Sequence, residues 1–170
     1  MTAPCRLQRA DVAHTQLLAA LYGQCFDEPW TAESMAAVLA SPGAFALIAV
    51  AEPDGVAPIG FVLARHAGDE VEVISLGVLP TCRRQNVGGR LLDEVLLRAV
   101  QAGAGRVVLE VAETNEPARA LYLGRGFRPV GRRPDYYQRA NTVPVAALTM
   151  ARDIGRGFIV EAKEKYSHMG

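Results

Sequence analysis

Lysine is almost missing from this chain. Lys163 and Lys165 are the only two in 170 residues, so nearly all of the eighteen basic side chains are arginines, and eighteen acidic residues cancel them. A balance of zero excludes the strong basic excess of a nucleic-acid surface, and no nucleic-acid partner is expected. The arginines between Arg125 and Arg139 could meet a phosphate or an acidic partner, but they read first as a solvated face. Cysteine is scarce too: Cys5, Cys25 and Cys82 form no Cys-x-x-Cys pair, and the three histidines are far apart. Neither a disulfide framework nor a metal centre suits that pattern, so a reduced, metal-free, cytoplasmic protein is expected. Long apolar runs are also lacking. The longest, Phe45 to Ala51, is far short of the roughly 20 residues of a membrane helix, and no charged leader precedes an apolar stretch. The chain is expected to be neither exported nor embedded, with no membrane partner.

Half of the residues are hydrophobic and 21% are charged, enough for one globular domain with a real core. That domain is expected over 1–152, with 153–170 as a polar tail. Cys5 to Arg9 alternates as a strand, and Asp11 can cap a helix whose apolar face holds Val12, Leu17, Leu18, Leu21 and Tyr22. Pro29 and Trp30 interrupt it; Thr31 is a fresh N-cap, and Met35, Val38 and Leu39 mark a short helix ended by Pro42-Gly43. Ala44 to Ala51, Ile59 to His66 and Val71 to Leu79 are apolar, partly β-branched runs separated by turn residues, which reads as an antiparallel meander. Gly77 within the third run suggests a bulge or something approaching the backbone closely. Val87 to Val100 repeats at helical spacing, Gly103 and Gly105 close that helix, and Val107 to Val111 is a buried strand, which together predict a right-handed crossover. Asn115 can cap another helix with Pro117 in its first turn and Ala118, Leu121 and Tyr122 on one face; residues 143–150 add a last strand. The fold class expected is α/β in the α+β sense, a mixed and mostly antiparallel sheet flanked by helices.

Between Leu76-Gly77-Val78, which suits a strand, and the helix after Gly88 lie Arg83, Arg84, Gln85, Asn86 and Val87, followed by Gly88 and Gly89. Such a turn is how backbone N–H groups are brought to an anion at a helix N-terminus. It is not a nucleoside-triphosphate loop, because Gly88-Gly89 is followed by Arg90-Leu91 where lysine and a hydroxyl residue are required. A dinucleotide site fits poorly as well. Glu110 stands at the end of the next strand, yet the glycine pattern is incomplete and the preceding strands are antiparallel.

Arg83-Arg84-Gln85-Asn86-Val87-Gly88 resembles, at its first and last positions, the pyrophosphate loop Gln/Arg-x-x-Gly-x-Gly/Ala of the GCN5-related N-acetyltransferases. Asn86 replaces the first glycine, and asparagine tolerates a left-handed backbone at a cost of order 1 kcal/mol. The block from Asn115 to Phe127 is similar throughout to the family's Asn-x-x-Ala-x-x-Leu-Tyr-x-x-x-Gly-Phe signature. Pro29-Trp30, Leu109-Glu110-Val111 and the run Arg132-Arg133-Pro134-Asp135-Tyr136-Tyr137 extend the resemblance to the RimI-type subgroup, which acetylates the N-terminal alanine of a small-subunit ribosomal protein.

The resemblance implies acetyl-CoA as cosubstrate and direct transfer from its thioester to an amine. Residues 83–89 would hold the pyrophosphate, a backbone N–H of Leu76, Gly77 or Val78 would polarise the carbonyl, and Asn115 would contact coenzyme A, though helix capping explains Asn115 nearly as well. Glu110, a carboxylate on an otherwise apolar strand, would be the general base in a desolvated setting, acting through water; without the family, a solvent-facing strand end is the better reading. Tyr122 would protonate the leaving thiolate, although a lone aromatic at helical spacing is usually core. Trp30, Tyr136 and Tyr137 would line the acceptor groove, with core packing for Trp30 and docking of the loop on the sheet for the tyrosines as the competing readings. An α-amine has a pKa of about 8 and a lysine about 10.4, so the former is neutral roughly two hundred times more often near pH 7 and suits a modest base. A protein N-terminus is therefore expected as acceptor. A lysine or small-molecule amine acetyltransferase, and a non-catalytic acyl-CoA-binding module, are the rivals.

Overall fold

A computed structural model describes residues 4–53, 55–137 and 142–155. Seven strands, β1 (Cys5–Ala10), β2 (Ala44–Ala51), β3 (Pro58–Ala67), β4 (Glu70–Val78), β5 (Arg106–Ala112), β6 (Arg128–Tyr137) and β7 (Val145–Asp153), form one sheet in the order β1-β2-β3-β4-β5-β7-β6. Among the described residues four α-helices accompany them: α1 (Thr15–Cys25), α2 (Ala32–Leu39), α3 (Val87–Gln101) and α4 (Glu116–Gly124). The chain divides into two compact units, one holding residues up to Ala67 with Val73–Leu96, the other Gly68–Glu72 with residues from Leu97 onward.

In the first unit β1 and β2 pair antiparallel from Cys5↔Ala51 to Ala10↔Ala46, and β2 pairs antiparallel with β3. Leu18 and Leu21 of α1, Met35 of α2, and Ile48, Phe61 and Leu63 of the strands make its core. Trp30 packs against that cluster, edge-on to Tyr22 with ring centroids 5.3 Å apart. The face expected of the first helix is too wide. Asp11 caps a 3₁₀ turn, Val12–His14, accepting the Ala13 N–H at 2.9 Å, and the tighter winding changes the phase before α1 begins. Val12 is therefore exposed; Leu17, within α1, is exposed as well, and only Leu18 and Leu21 of the expected stripe are fully buried. Thr31 caps α2 as expected, its hydroxyl accepting the Ser34 N–H at 3.1 Å.

Gly60 on β3 seats the start of α3. A Cβ there would stand 2.9 Å from the Gly77 carbonyl oxygen, 3.3 Å from Val87 Cγ1 and 3.4 Å from Leu91 Cδ1. The helix can lie this low on the strand only because that position lacks a side chain.

In the second unit β7 pairs antiparallel with β5, from Arg106↔Asp153 to Ala112↔Ala147, and with β6 on its other side. Val107, Leu109 and Val111 are buried by alternation, which sets Glu110 on the opposite face. No strand is expected from the sequence over 128–137. Its residues are all exposed, Pro129 and Pro134 interrupt it, and its arginines conceal any period; an edge strand tolerates all three. The last strand runs to Asp153 instead of stopping at 150, and Ile154 is buried. Residues 156–170 lie outside the described residues, as does Arg139.

Candidate active site

The turn after β4 is built from backbone and arginine. Leu79 N–H is bonded to the Ile59 carbonyl at 2.9 Å, and Pro80–Cys82 forms a 3₁₀ turn. Arg83 Nε then donates to the Val78 carbonyl at 3.1 Å, and its Nη2 reaches the Cys25 carbonyl at 3.5 Å. Arg83 thus fastens the turn to the strand it leaves. Arg84, beside it, is exposed. Both Arg84 and Asn86 have φ of 62°, in the left-handed region. The asparagine is expected there; the arginine is not. Left-handed residues at alternate positions turn successive N–H groups into one concavity, the nest that receives an anion. The first helical bond of α3 runs from Arg90 N–H to the Asn86 carbonyl at 3.0 Å, so the amides of Val87 and Gly88 have no acceptor within the helix. Beside this turn, the approach expected at Gly77 comes from the protein itself: a Cβ there would meet the Phe61 ring at 2.7 Å and Cys25 at 3.1 Å.

The second unit carries the titratable groups. Glu110 shares a sheet face with Thr149, its cross-strand partner on β7, and its side chain is 27% exposed. Arg133 of β6 stands 3.1 Å from its Oε1. The isolated, desolvated carboxylate expected from an apolar strand is thus an ion-paired one in contact with water. Glu113 is held still more firmly: Arg132 donates to both its oxygens at 3.0 and 2.9 Å, and these bonds hold the carboxyl below its ordinary range. Asn115 caps α4, its Oδ1 accepting the Ala118 N–H at 3.3 Å. Tyr122 is 7% exposed and packs against Phe127, with ring centroids 5.9 Å apart. Burial, and secondarily the proximity of Tyr137, push its phenol up to about 12. Tyr136 and Tyr137 end β6, edge-on to one another at 5.1 Å, and the Arg133 guanidinium lies 5.3 Å over the Tyr136 ring.

The predicted residues therefore fall in two sets. Residues 76–78 and 83–89 belong to the first unit together with Trp30; Glu110, Asn115, Tyr122, Tyr136 and Tyr137 belong to the second. The model of the acetyltransferase (GNAT) family matches residues 15–127. The chain belongs to that family. It is 37% identical over 155 residues, 88% of this chain and 90% of the relative, to the N-alpha-acetyltransferase RimI of Mycobacterium tuberculosis. It is 31% identical over 77 residues, 45% of this chain and 52% of the relative, to the ribosomal protein bS18-alanine N-acetyltransferase of Escherichia coli. A crystal structure of the Escherichia coli ribosomal-protein-S18-alanine N-acetyltransferase superposes with a TM-score of 0.81 at 20% identity, covering 89% of this chain and 95% of that one, and shows the shared fold. This GNAT is an acetyl-CoA-dependent N-acetyltransferase.

For such a reaction the order of two acidities matters. A free thiol has a pKa of about 8.5, well below the value of about 12 for the Tyr122 phenol. Full transfer of the phenolic proton to a thiolate is then uphill by roughly 5 kcal/mol. At an ordinary phenol's value of about 10 that transfer is already uphill, and burial steepens it, so the chemistry open to Tyr122 is donation of a hydrogen bond from an O–H that stays protonated. In the GNAT turn Asn86 holds one of the two left-handed positions. Val at a φ of 62° costs roughly 1–2 kcal/mol more than a residue suited to it, so Asn86→Val raises the Kd for acetyl-CoA by about tenfold, measured by calorimetry. Asn86→Gly leaves the Kd unchanged or lowers it.

Two residues of interest carry no clear mark in the sequence. Arg84 has no signal beyond its place in the turn. Arg133 lies within an arginine run, and only the strand register of β6 singles it out.

Proposed function

We propose that this GNAT transfers the acetyl group of acetyl-CoA to the α-amine of a protein N-terminus, with the N-terminal alanine of a small-subunit ribosomal protein as acceptor. The likeness to an α-amine acetyltransferase over about nine tenths of both chains carries this reading. The amides and Arg84 of the turn at 83–89 take the pyrophosphate, and a backbone N–H from Leu76 to Val78 takes the thioester oxygen as it gains charge. Asn115, besides capping α4, contacts coenzyme A. Glu110 accepts the proton of the attacking amine through a water, the C–N bond forms, and the C–S bond breaks. Tyr122 steadies the departing thiolate, which takes its proton from solvent. Trp30, Tyr136 and Tyr137 line the approach of the acceptor. The reaction is assigned to the cytoplasm, where thiols such as Cys5, Cys25 and Cys82, all free here, are kept reduced.

The test is turnover of acetyl-CoA with peptides of varied free N-terminus, beside N-terminally blocked lysine peptides and a polyamine. Peptides with free alanine are expected to exceed the lysine peptides by about a hundredfold in kcat/KM, following the neutral fractions of the two amines. Turnover confined to blocked lysine peptides or to the polyamine sinks the assignment.

A further inference from the structure

We propose that Arg133 determines which amine reaches Glu110, admitting α-amines and turning away the ε-ammonium groups of lysines. The inference rests on the reading of Glu110 as the base. On the sheet, Arg133 is opposite Ala147, which is opposite Ala112, while Glu110 is opposite Thr149. Arg133 and Glu110 therefore share a face on adjacent rows, and the guanidinium reaches diagonally past a small alanine to a carboxylate oxygen 3.1 Å away. The preceding residue, Arg132, serves the opposite face, where it grips Glu113. The Arg133 guanidinium is also stacked over the Tyr136 ring, so two contacts hold it beside the base. On β7 the residue facing Glu110 is the uncharged Thr149.

Stability gives little reason for the pair. The two side chains are 60% and 27% exposed, and ion pairs so open to water contribute at most about 1 kcal/mol. Its effect on an incoming amine is larger. A bare carboxylate attracts any ammonium, whereas one already joined to a guanidinium yields only to an ammonium that displaces it. Arginine keeps its charge throughout the working pH range, so this barrier does not lapse. Near pH 7 about one α-amine in ten is neutral and can approach without meeting the barrier, against fewer than about one lysine in a thousand. The cation beside the base thus opposes nearly every lysine, while about one α-amine in ten is left an unopposed approach.

The measurement compares a free-N-terminal alanine peptide, as substrate, with a blocked lysine peptide, as competitive inhibitor and substrate, in wild type, Arg133→Gln, Arg133→Ala and Arg133→Lys. In the two neutral variants the inhibition constant of the lysine peptide is expected to fall about tenfold, with the kcat for the alanine peptide changed by less than about threefold. Arg133→Lys restores the wild-type discrimination within about twofold. A lysine inhibition constant unaltered in both neutral variants, with melting temperatures matching wild type, overturns the proposal. Glu110→Gln separates the two readings. Loss of turnover with it, together with unaltered discrimination in the Arg133 variants, refutes the role of Arg133 alone, whereas full turnover removes the base and the proposal with it.

Discussion

Glu110→Gln is expected to lower kcat by about two to four orders of magnitude, the usual contribution of a positioned general base, while the Kd for acetyl-CoA stays within about twofold. The amide has the size of the carboxylate and can still meet Arg133, but it takes no proton from an amine. Cofactor affinity is spared because the residues assigned to the pyrophosphate, 83–89, belong to a different set from Glu110. The control is Glu113→Gln. Glu113 lies three residues on and is gripped by Arg132 at both oxygens, yet it has no place in the transfer. Its substitution should leave kcat within about twofold and act on stability, with a sign that can be worked out. A carboxyl held below its ordinary 4.5 by an arginine stabilises the fold above that value and loses this contribution as pH falls further, so wild type and Glu113→Gln converge in acid. Release of free thiol from acetyl-CoA follows the first comparison. A Glu110→Gln enzyme with wild-type kcat removes Glu110 from the mechanism.

Where the sequence is legible by itself, the reason is local chemistry. Thr31 and Asn115 announce their helices because a side-chain oxygen satisfies an amide three residues on, a bond formed within the segment that encodes it. Asn86 announces its backbone for a similar reason, since few residues accept a positive φ. What escapes depends on residues distant in sequence. β6 carries no buried face, so neither period nor hydrophobicity marks it, and only pairing with β7 makes it a strand. The ion pair of Arg133 with Glu110 follows from that pairing and is hidden with it. Gly60 looks like an ordinary strand residue. Its requirement comes from Gly77, Val87 and Leu91 closing over it from elsewhere in the chain. The width of the first helix face is misjudged for a smaller reason, a 3₁₀ turn that puts Val12 out of phase with Leu18 and Leu21 of α1. The anchoring role of Arg83 belongs with these. As a cation in an anion-binding turn it points to the ligand, but its bonds to the Val78 and Cys25 carbonyls leave Arg84 as the better candidate.

Tyr122→Phe is expected to lower kcat by about tenfold to a hundredfold and to leave the Kd for acetyl-CoA within about twofold, because a hydrogen bond to a charged group contributes roughly 1.5–3 kcal/mol. The ring is kept, and with it the packing on Phe127. The acidity of the phenol makes the role testable in a second way. Raised to about 12, it remains protonated across the range in which enzymes are assayed, so no loss of activity on the alkaline side below about pH 10 arises from its ionisation. The alkaline limb of the kcat profile should therefore coincide in wild type and Tyr122→Phe, with only the height changed. A proton fully transferred from Tyr122 would instead place its ionisation in the profile, and the variant would lose that limb. Stability carries the same signature with a fixed sign. A phenol raised from 10.0 to about 12 binds its proton more tightly in the folded state, so its contribution is present below pH 10 and fades as pH rises through 12, by roughly 2 to 3 kcal/mol in all. Wild type should lose melting temperature over that interval more steeply than Tyr122→Phe. Equal slopes would show that burial does not raise this phenol, and an unaltered kcat would show that its O–H does not meet the leaving sulfur.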